Sequence, residues 1–211
     1  MHILIKAIKY SIALASTLMI SVSANANLIQ NGGFENPDVN NGNWAWYSAS
    51  DVDGWNGSNI EVWDSFGGVE AYEGDQFGEL NAHAGRRNRP YSIFQYIDTV
   101  IGNSYNLSFA YRARANNNEA FRVRVAGRRA GSVFNQIMND HVVGSWSVFS
   151  SSFVANSART QVRFTTIRPR SGTVGNFIDD VSVTDVPEPT SLGLLGLGLL
   201  GTAIARRRRK T

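Results

Sequence analysis

Three stretches of this chain alternate apolar and polar residues with a period of two, and nothing between residues 27 and 185 keeps the 3.6-residue period of a helix. In residues 105–112, Tyr105, Leu107, Phe109 and Tyr111 share one face. In 119–126, Phe121, Val123 and Val125 oppose Arg122 and Arg124, and in 160–166 Val162 and Phe164 oppose Arg163. Such alternation belongs to strands with one face buried and one in water. Further short runs at 60–63, 77–81, 92–98, 132–137, 146–153 and 177–184 are separated by Gly, Asn, Asp and Ser. Nine or more short strands in one segment predict an all-β domain, an antiparallel two-sheet jelly-roll sandwich.

The ends of the chain differ from this middle. Residues 1–26 place Lys6 and Lys9 before an apolar stretch and close on Ala24-Asn25-Ala26, the layout of a removable signal peptide. At the other end Val186-Pro187-Glu188-Pro189 precedes the apolar run 192–205, then Arg206, Arg207, Arg208, Arg209 and Lys210. The prolines stop any strand, the apolar run can enter lipid, and the cations hold its end in the cytoplasm. This predicts three parts: a signal helix (1–26), a β-sandwich (27–185), and a tail with a transmembrane helix (186–211).

The tail resembles the PEP-CTERM sorting signal, with motif, apolar helix and Arg cluster in order. The resemblance implies processing by an exosortase near Pro187, Glu188 and Pro189 in a Gram-negative exporter that makes exopolysaccharide. The expected route is signal peptidase cleavage, transient anchoring in the inner membrane, then the cell surface or extracellular matrix.

With both ends set aside, residues 27–186 hold 13 basic residues, all Arg, against 16 acids, a net charge of −3. That balance offers nothing to nucleic acid. No cysteine is present, which excludes disulfides and Cys-based zinc sites. Residues 27–98 carry 11 acids against Arg86, Arg87 and Arg89, while 99–178 carry ten Arg against Glu119 and Asp140. Cross-strand charge pairing accounts for this; an acidic rim and a basic face would account for it equally.

A second resemblance rests on Asn31-Gly32-Gly33-Phe34-Glu35 at the start, Phe177-Ile178-Asp179-Asp180-Val181 at the end, and Gly54-Trp55, Glu61-Val62-Trp63 and Glu73-Gly74-Asp75-Gln76-Phe77 between. The segment looks like the galactose-binding-like jelly rolls, which include many carbohydrate-binding modules. The resemblance implies a structural Ca²⁺ where the first and last strands meet, with Glu35, Asp179, Asp180 and Asp75 as ligands; a hard cation wants six to eight oxygens. Period-two parity sets Asp179 on the side of Phe177, Val181 and Val183, where a carboxylate needs a cation or several donors. Capping of a neighbouring turn by Asp179 is the competing reading.

Sugar binding would use aromatic faces beside polar groups. Trp44 and Trp46 share parity and could form a two-ring platform, with Tyr47, Tyr72 and Tyr91 as further exposed candidates. Trp55 and Trp63 are expected in the core. Arg112, Arg122, Arg124 and Arg163 occupy the off-core rows of their strands; if those strands are neighbours, they line a face that could grip uronic acids through paired hydrogen bonds. A solvated face with partners such as Glu119 is the alternative.

Catalysis has little support. His83 and His141 are the only histidines of the segment, Asp51-x-Asp53 is a broken EF-hand start, and only Glu61 and Glu79 suggest a glycosidase pair. The expectation is a non-catalytic exopolysaccharide-binding module. A matrix or adhesion protein with protein partners, or a jelly-roll hydrolase or lyase, stands behind it.

Overall fold

The structure is a computed structural model that describes residues 26–82, 90–170 and 172–187. The signal helix, the tail helix, Glu188, Pro189 and Arg206 to Arg209 lie outside the described residues, as do His83, Arg86, Arg87 and Arg89. Eleven strands follow one another: β1 (Asn43–Tyr47), β2 (Asn56–Gly57), β3 (Ile60–Asp64), β4 (Gln76–Glu79), β5 (Ser92–Asp98), β6 (Ser104–Arg112), β7 (Ala120–Gly127), β8 (Gly131–Met138), β9 (Ser147–Val154), β10 (Arg159–Arg168) and β11 (Phe177–Asp185). They form a six-stranded sheet, β1-β3-β4-β11-β6-β9, and a five-stranded sheet, β2-β5-β10-β7-β8. Every paired neighbour is antiparallel, and the only described helix is two single 3₁₀ turns, Ala49–Asp51 and Phe66–Gly68.

The alternation read from the sequence sets which side chains meet between the sheets. Tyr105, Leu107, Phe109 and Tyr111 of β6 are buried against Phe121, Val123 and Val125 of β7 and Val162 and Phe164 of β10. Each such side chain contributes about 1.5–3 kcal/mol on leaving water. The rings interlock: Trp55 stacks on Phe34 at 5.2 Å, and Phe109 meets Phe164 edge-on at 5.2 Å.

The opening and closing segments meet, as their shared carboxylates suggested. Leu28 N donates to Val183 O, Val181 N donates to Gly32 O, and Asn27 bonds the backbone at Val181 and Val183. Gly32 is required there, since a Cβ would stand 2.0 Å from Val181 O. Phe34 holds a left-handed backbone, φ 59°, rare for a bulky residue; its complete burial against Trp55 compensates. Buried glutamines replace missing ladder bonds. Gln95 both accepts from Gln30 N and donates to Gln30 O, and Gln76 donates to Phe34 O while accepting from Val39 N.

Three strands differ from the sequence reading. β1 and the two-residue β2 fall outside its runs, because their Asn-Gly-rich context gives no buried face to count. In β11 the register shifts between Asp179 and Ser182, and Asp180 adopts φ 45°. This bulge reverses parity. Ile178, Val181 and Val183 enter the main core, whereas Phe177 packs with Trp63 and Phe77 on the other side of the sheet. Asp179 therefore shares the face of Phe177, not that of Val181 and Val183.

Candidate functional site

The outer face of the six-stranded sheet carries what the sandwich interior does not need. Register places Trp46 opposite Glu61, Glu61 opposite Glu79, Glu79 opposite Phe177 and Phe177 opposite Arg112. Directly opposed residues project to the same side, so these five side chains form one row across five strands. A parallel row begins with Trp44 opposite Trp63 and Trp63 opposite Phe77. Trp63 and Phe77 are buried here under Trp146, Val69 and Ala71 as a second, smaller apolar cluster.

Trp44 and Trp46 lie on one face of an edge strand, 37% and 48% exposed. Trp44 stacks on Trp63 with centroids 6.2 Å apart, and Phe66 meets Trp63 edge-on at 5.2 Å. The two exposed indoles thus share a face, with Trp63 stacked against Trp44. Trp63 is buried as expected, but on the outer side of the six-stranded sheet rather than between the sheets.

Beside the rings is a charged cluster. Glu61 and Glu79 are 3% and 0% exposed. Arg114 Nη1 donates to both oxygens of Glu79 at 2.8 and 2.6 Å, approaches Glu61 Oε2 at 3.8 Å, and donates to Thr173 O. Its guanidinium carbon lies 4.6 Å over the Trp63 ring. Burial pushes the Glu79 carboxyl well above the usual carboxylate range; Arg114 opposes the shift and Glu61 adds to it. Arg112 extends the row, its basicity lowered by burial. Arg112 Nε and Trp63 Nε1 are buried without a hydrogen-bond partner among the described residues. As a possible glycosidase pair, Glu61 and Glu79 are ill placed: both are buried and tied to one cation, with neither free to activate a water.

The sequence reading missed Arg114 and Trp146. Arg114 keeps the parity of Arg112 two residues beyond the strand end, which was the available signal. Trp146 Nε1 donates to Glu70 O, and its ring meets Tyr72 and Phe77 edge-on, 6.4 and 5.5 Å between centroids. Tyr72 is exposed next to this ring, whereas Tyr47 is half-buried in β1. Tyr91, expected to be exposed, is buried at the foot of β5, where its carbonyl accepts from Thr166 N.

The arginines divide between two faces. Arg112 belongs to the six-stranded sheet, while Arg122, Arg124 and Arg163 line the outer face of the five-stranded sheet. Glu119 is not their partner. It is buried and accepts from the backbone N–H groups of Arg114, Ala115 and Asn116. Among the described residues the only ion pairs are those of Arg114, and Asp98 lies opposite Arg159 across β5 and β10.

Of the carboxylates expected to hold calcium, Asp179 and Glu35 lie beside Gly33, together with Glu73. Asp179, 0% exposed, accepts from Tyr72 N and Glu73 N at 2.8 and 3.1 Å and from Asp180 N at 2.7 Å. Glu35 accepts from Asp75 N and Gln76 N through Oε1, an oxygen that a Cβ on Gly74, φ 66°, would displace. Asp75 is exposed in that turn, and Asp180 is the bulge residue. Among the described residues no three acidic or histidine side chains are grouped to hold a metal ion. In this arrangement backbone amides offset the desolvation of Asp179 and Glu35. Burial still raises the Asp179 carboxyl to about 7 against those three amides.

Residues 27–184 match the family described as "Protein of unknown function (DUF642)", and residues 185–210 match the PEP-CTERM protein-sorting motif. Halomucin of Haloquadratum walsbyi (strain DSM 16790 / HBSQ001) is 30% identical over 179 residues, 80% of this chain; the chain spans 2% of the length of that relative. Among solved structures, TmCBM61 in complex with beta-1,4-galactotriose aligns with a TM-score of 0.51 at 14% identity, covering 76% of this chain and 99% of that one. The xylan-binding domain from CBM 22 aligns at 0.46 and 16% identity, covering 78% and 98%. At 14% identity the likeness to TmCBM61 establishes the jelly-roll fold alone.

Proposed function

The chain belongs to the DUF642 family and ends in a PEP-CTERM sorting motif, and from that premise we infer that it is an exported, non-catalytic carbohydrate-binding module. The ligand lies on the outer face of the six-stranded sheet. The cross-sheet row Trp46, Glu61, Glu79, Phe177 and Arg112, beside the Trp44–Trp63 stack, carries this reading. Exposed indole faces can take the C–H face of a pyranose while Arg114 and Arg112 donate to its hydroxyls. The fold likeness to a module crystallised with beta-1,4-galactotriose supports the same class of ligand.

The sorting motif supports processing by an exosortase after transient anchoring in the inner membrane, and exopolysaccharide of the producing cell as the glycan. The test is binding to that polysaccharide and to a panel of neutral oligosaccharides. Trp44→Ala/Trp46→Ala should weaken retention at least tenfold while leaving the melting temperature in place, because both rings are half-exposed. Unchanged retention by this variant removes the platform. Release of reducing ends or unsaturated products would replace the binding module with an enzyme.

A further inference from the structure

The five-stranded sheet turns a different chemistry to solvent. On β10, Arg159, Gln161 and Arg163 alternate with the buried Thr160, Val162 and Phe164; on β7, Arg122 and Arg124 alternate with Phe121, Val123 and Val125. Register sets Arg163 directly opposite Arg124 and Arg122 opposite Thr165. Like charges opposed across a ladder destabilise a sheet, and here no acid relieves them. Among the described residues none of these four arginines forms an ion pair. The acid on this face, Asp98, lies opposite Arg159 at the end of the ladder.

Two of the guanidinium groups are held ready. Arg163 lies 4.3 Å over the Phe94 ring and donates to Gln161 Oε1 and Ser92 Oγ at 3.0 and 2.8 Å. Arg159 lies 4.8 Å over the Tyr96 ring. Stacking restricts the side chains and leaves their outer N–H edges to a ligand. Arg163 lies over the Phe94 ring, while Tyr96 beneath Arg159 and Ile137 opposite Arg122 stay half-exposed, apolar surface beside the cations that a sugar ring can contact. All this occurs in a segment where acids outnumber arginines.

We propose that this face is a second ligand site, for a polysaccharide whose sugars carry carboxylates. Arg124 and Arg163 share one carboxylate through paired N–H···O bonds, which relieves their mutual repulsion. Arg122, about 7 Å along β7 from Arg124, and Arg159, farther along β10, hold the flanking units. Repeating anions on a linear chain match cations set out along strands, and the site is separate from the tryptophan platform, on the other sheet.

The probe is an oligogalacturonate, titrated calorimetrically into the full chain in detergent micelles, with a neutral galactan oligomer as control. The tail arginines are common to every variant, so differences report the sheet. The expected result is binding of the uronate that is weakened about tenfold or more in Arg124→Gln/Arg163→Gln and also weakened in Arg122→Gln/Arg159→Gln, which leaves the opposed pair intact, while neither variant changes the response to the galactan. Trp44→Ala/Trp46→Ala should bind the uronate normally, so failure of the neutral-glycan reading would not be mistaken for failure here. Unchanged affinity in both arginine variants overturns the proposal. Equal binding of duplex DNA or of phosphatidylglycerol vesicles, lost in the same variants, overturns it too by making the face a general anion surface.

Discussion

Glu61 and Glu79 stand directly opposite one another on adjacent strands, both buried, and a single nitrogen of Arg114 serves them, 2.6 Å from one and 3.8 Å from the other. Two carboxylates so placed cannot both stay charged without a cation. Arg114 answers that need from outside the sheet, 27% exposed, and in doing so covers the Trp63 ring. The tryptophan platform and the acid pair are therefore one unit.

Arg114→Met should destabilise the domain by about 2–3 kcal/mol near neutral pH, below the full cost of breaking a buried pair because the guanidinium is partly solvated. Urea unfolding measures it. The raised Glu79 carboxyl gives the deficit a direction: as pH falls and Glu79 takes a proton, wild type and variant should converge. A deficit constant across pH would mean that lost packing, not uncompensated charge, is responsible.

Asp179 should make the domain more stable in mild acid. Its folded pKa of about 7 lies above its ordinary value of 3.8, so between those values the native state holds a proton that the unfolded chain has released. Stability is then fully present below about pH 4, falls as pH rises toward 7 by at most about 4 kcal/mol, and is level beyond. Asp179→Asn should flatten this slope in melting curves recorded across the window. A slope that persists in the variant assigns it to another group.

Calcium separates two ways of satisfying the same carboxylates. With Asp179 and Glu35 turned to backbone amides, chelator and added calcium should leave the melting temperature unmoved. A rise on adding calcium would establish the ion site at Glu35, Asp75, Asp179 and Asp180 that the sequence suggests. It would also lower the Asp179 carboxyl and erase the acid-side slope, so the two measurements check one another.

At the chain's far end, Pro187→Ala/Pro189→Ala should leave a full-length, membrane-bound precursor, read by intact-mass analysis of cells and medium. Val186 N still bonds Ser104 O, so the motif begins where the sandwich releases the chain. Normal trimming of the variant would contradict the sorting role.

The all-β class, the inward rows of β6, β7 and β10, and the sorting signal are legible in the linear chain because they are local: a period of two and a fixed order of motif, apolar run and cations are written in consecutive residues. The sequence also identified Trp44 and Trp46 as a pair, since parity within one strand needs no partner. Tertiary structure alone decided which outward rows adjoin. Arg112 and Arg163 have the same parity, yet strand order sends one to each sheet. The bulge at Asp180 moved Asp179 away from Val181 and Val183, and no residue type announces a register shift. Arg114, Glu61 and Glu79 come from three separate parts of the chain and meet only when β3 pairs with β4 and the end of β6 reaches over them. Long-range pairing sets the site, and long-range pairing is what a linear pattern does not encode.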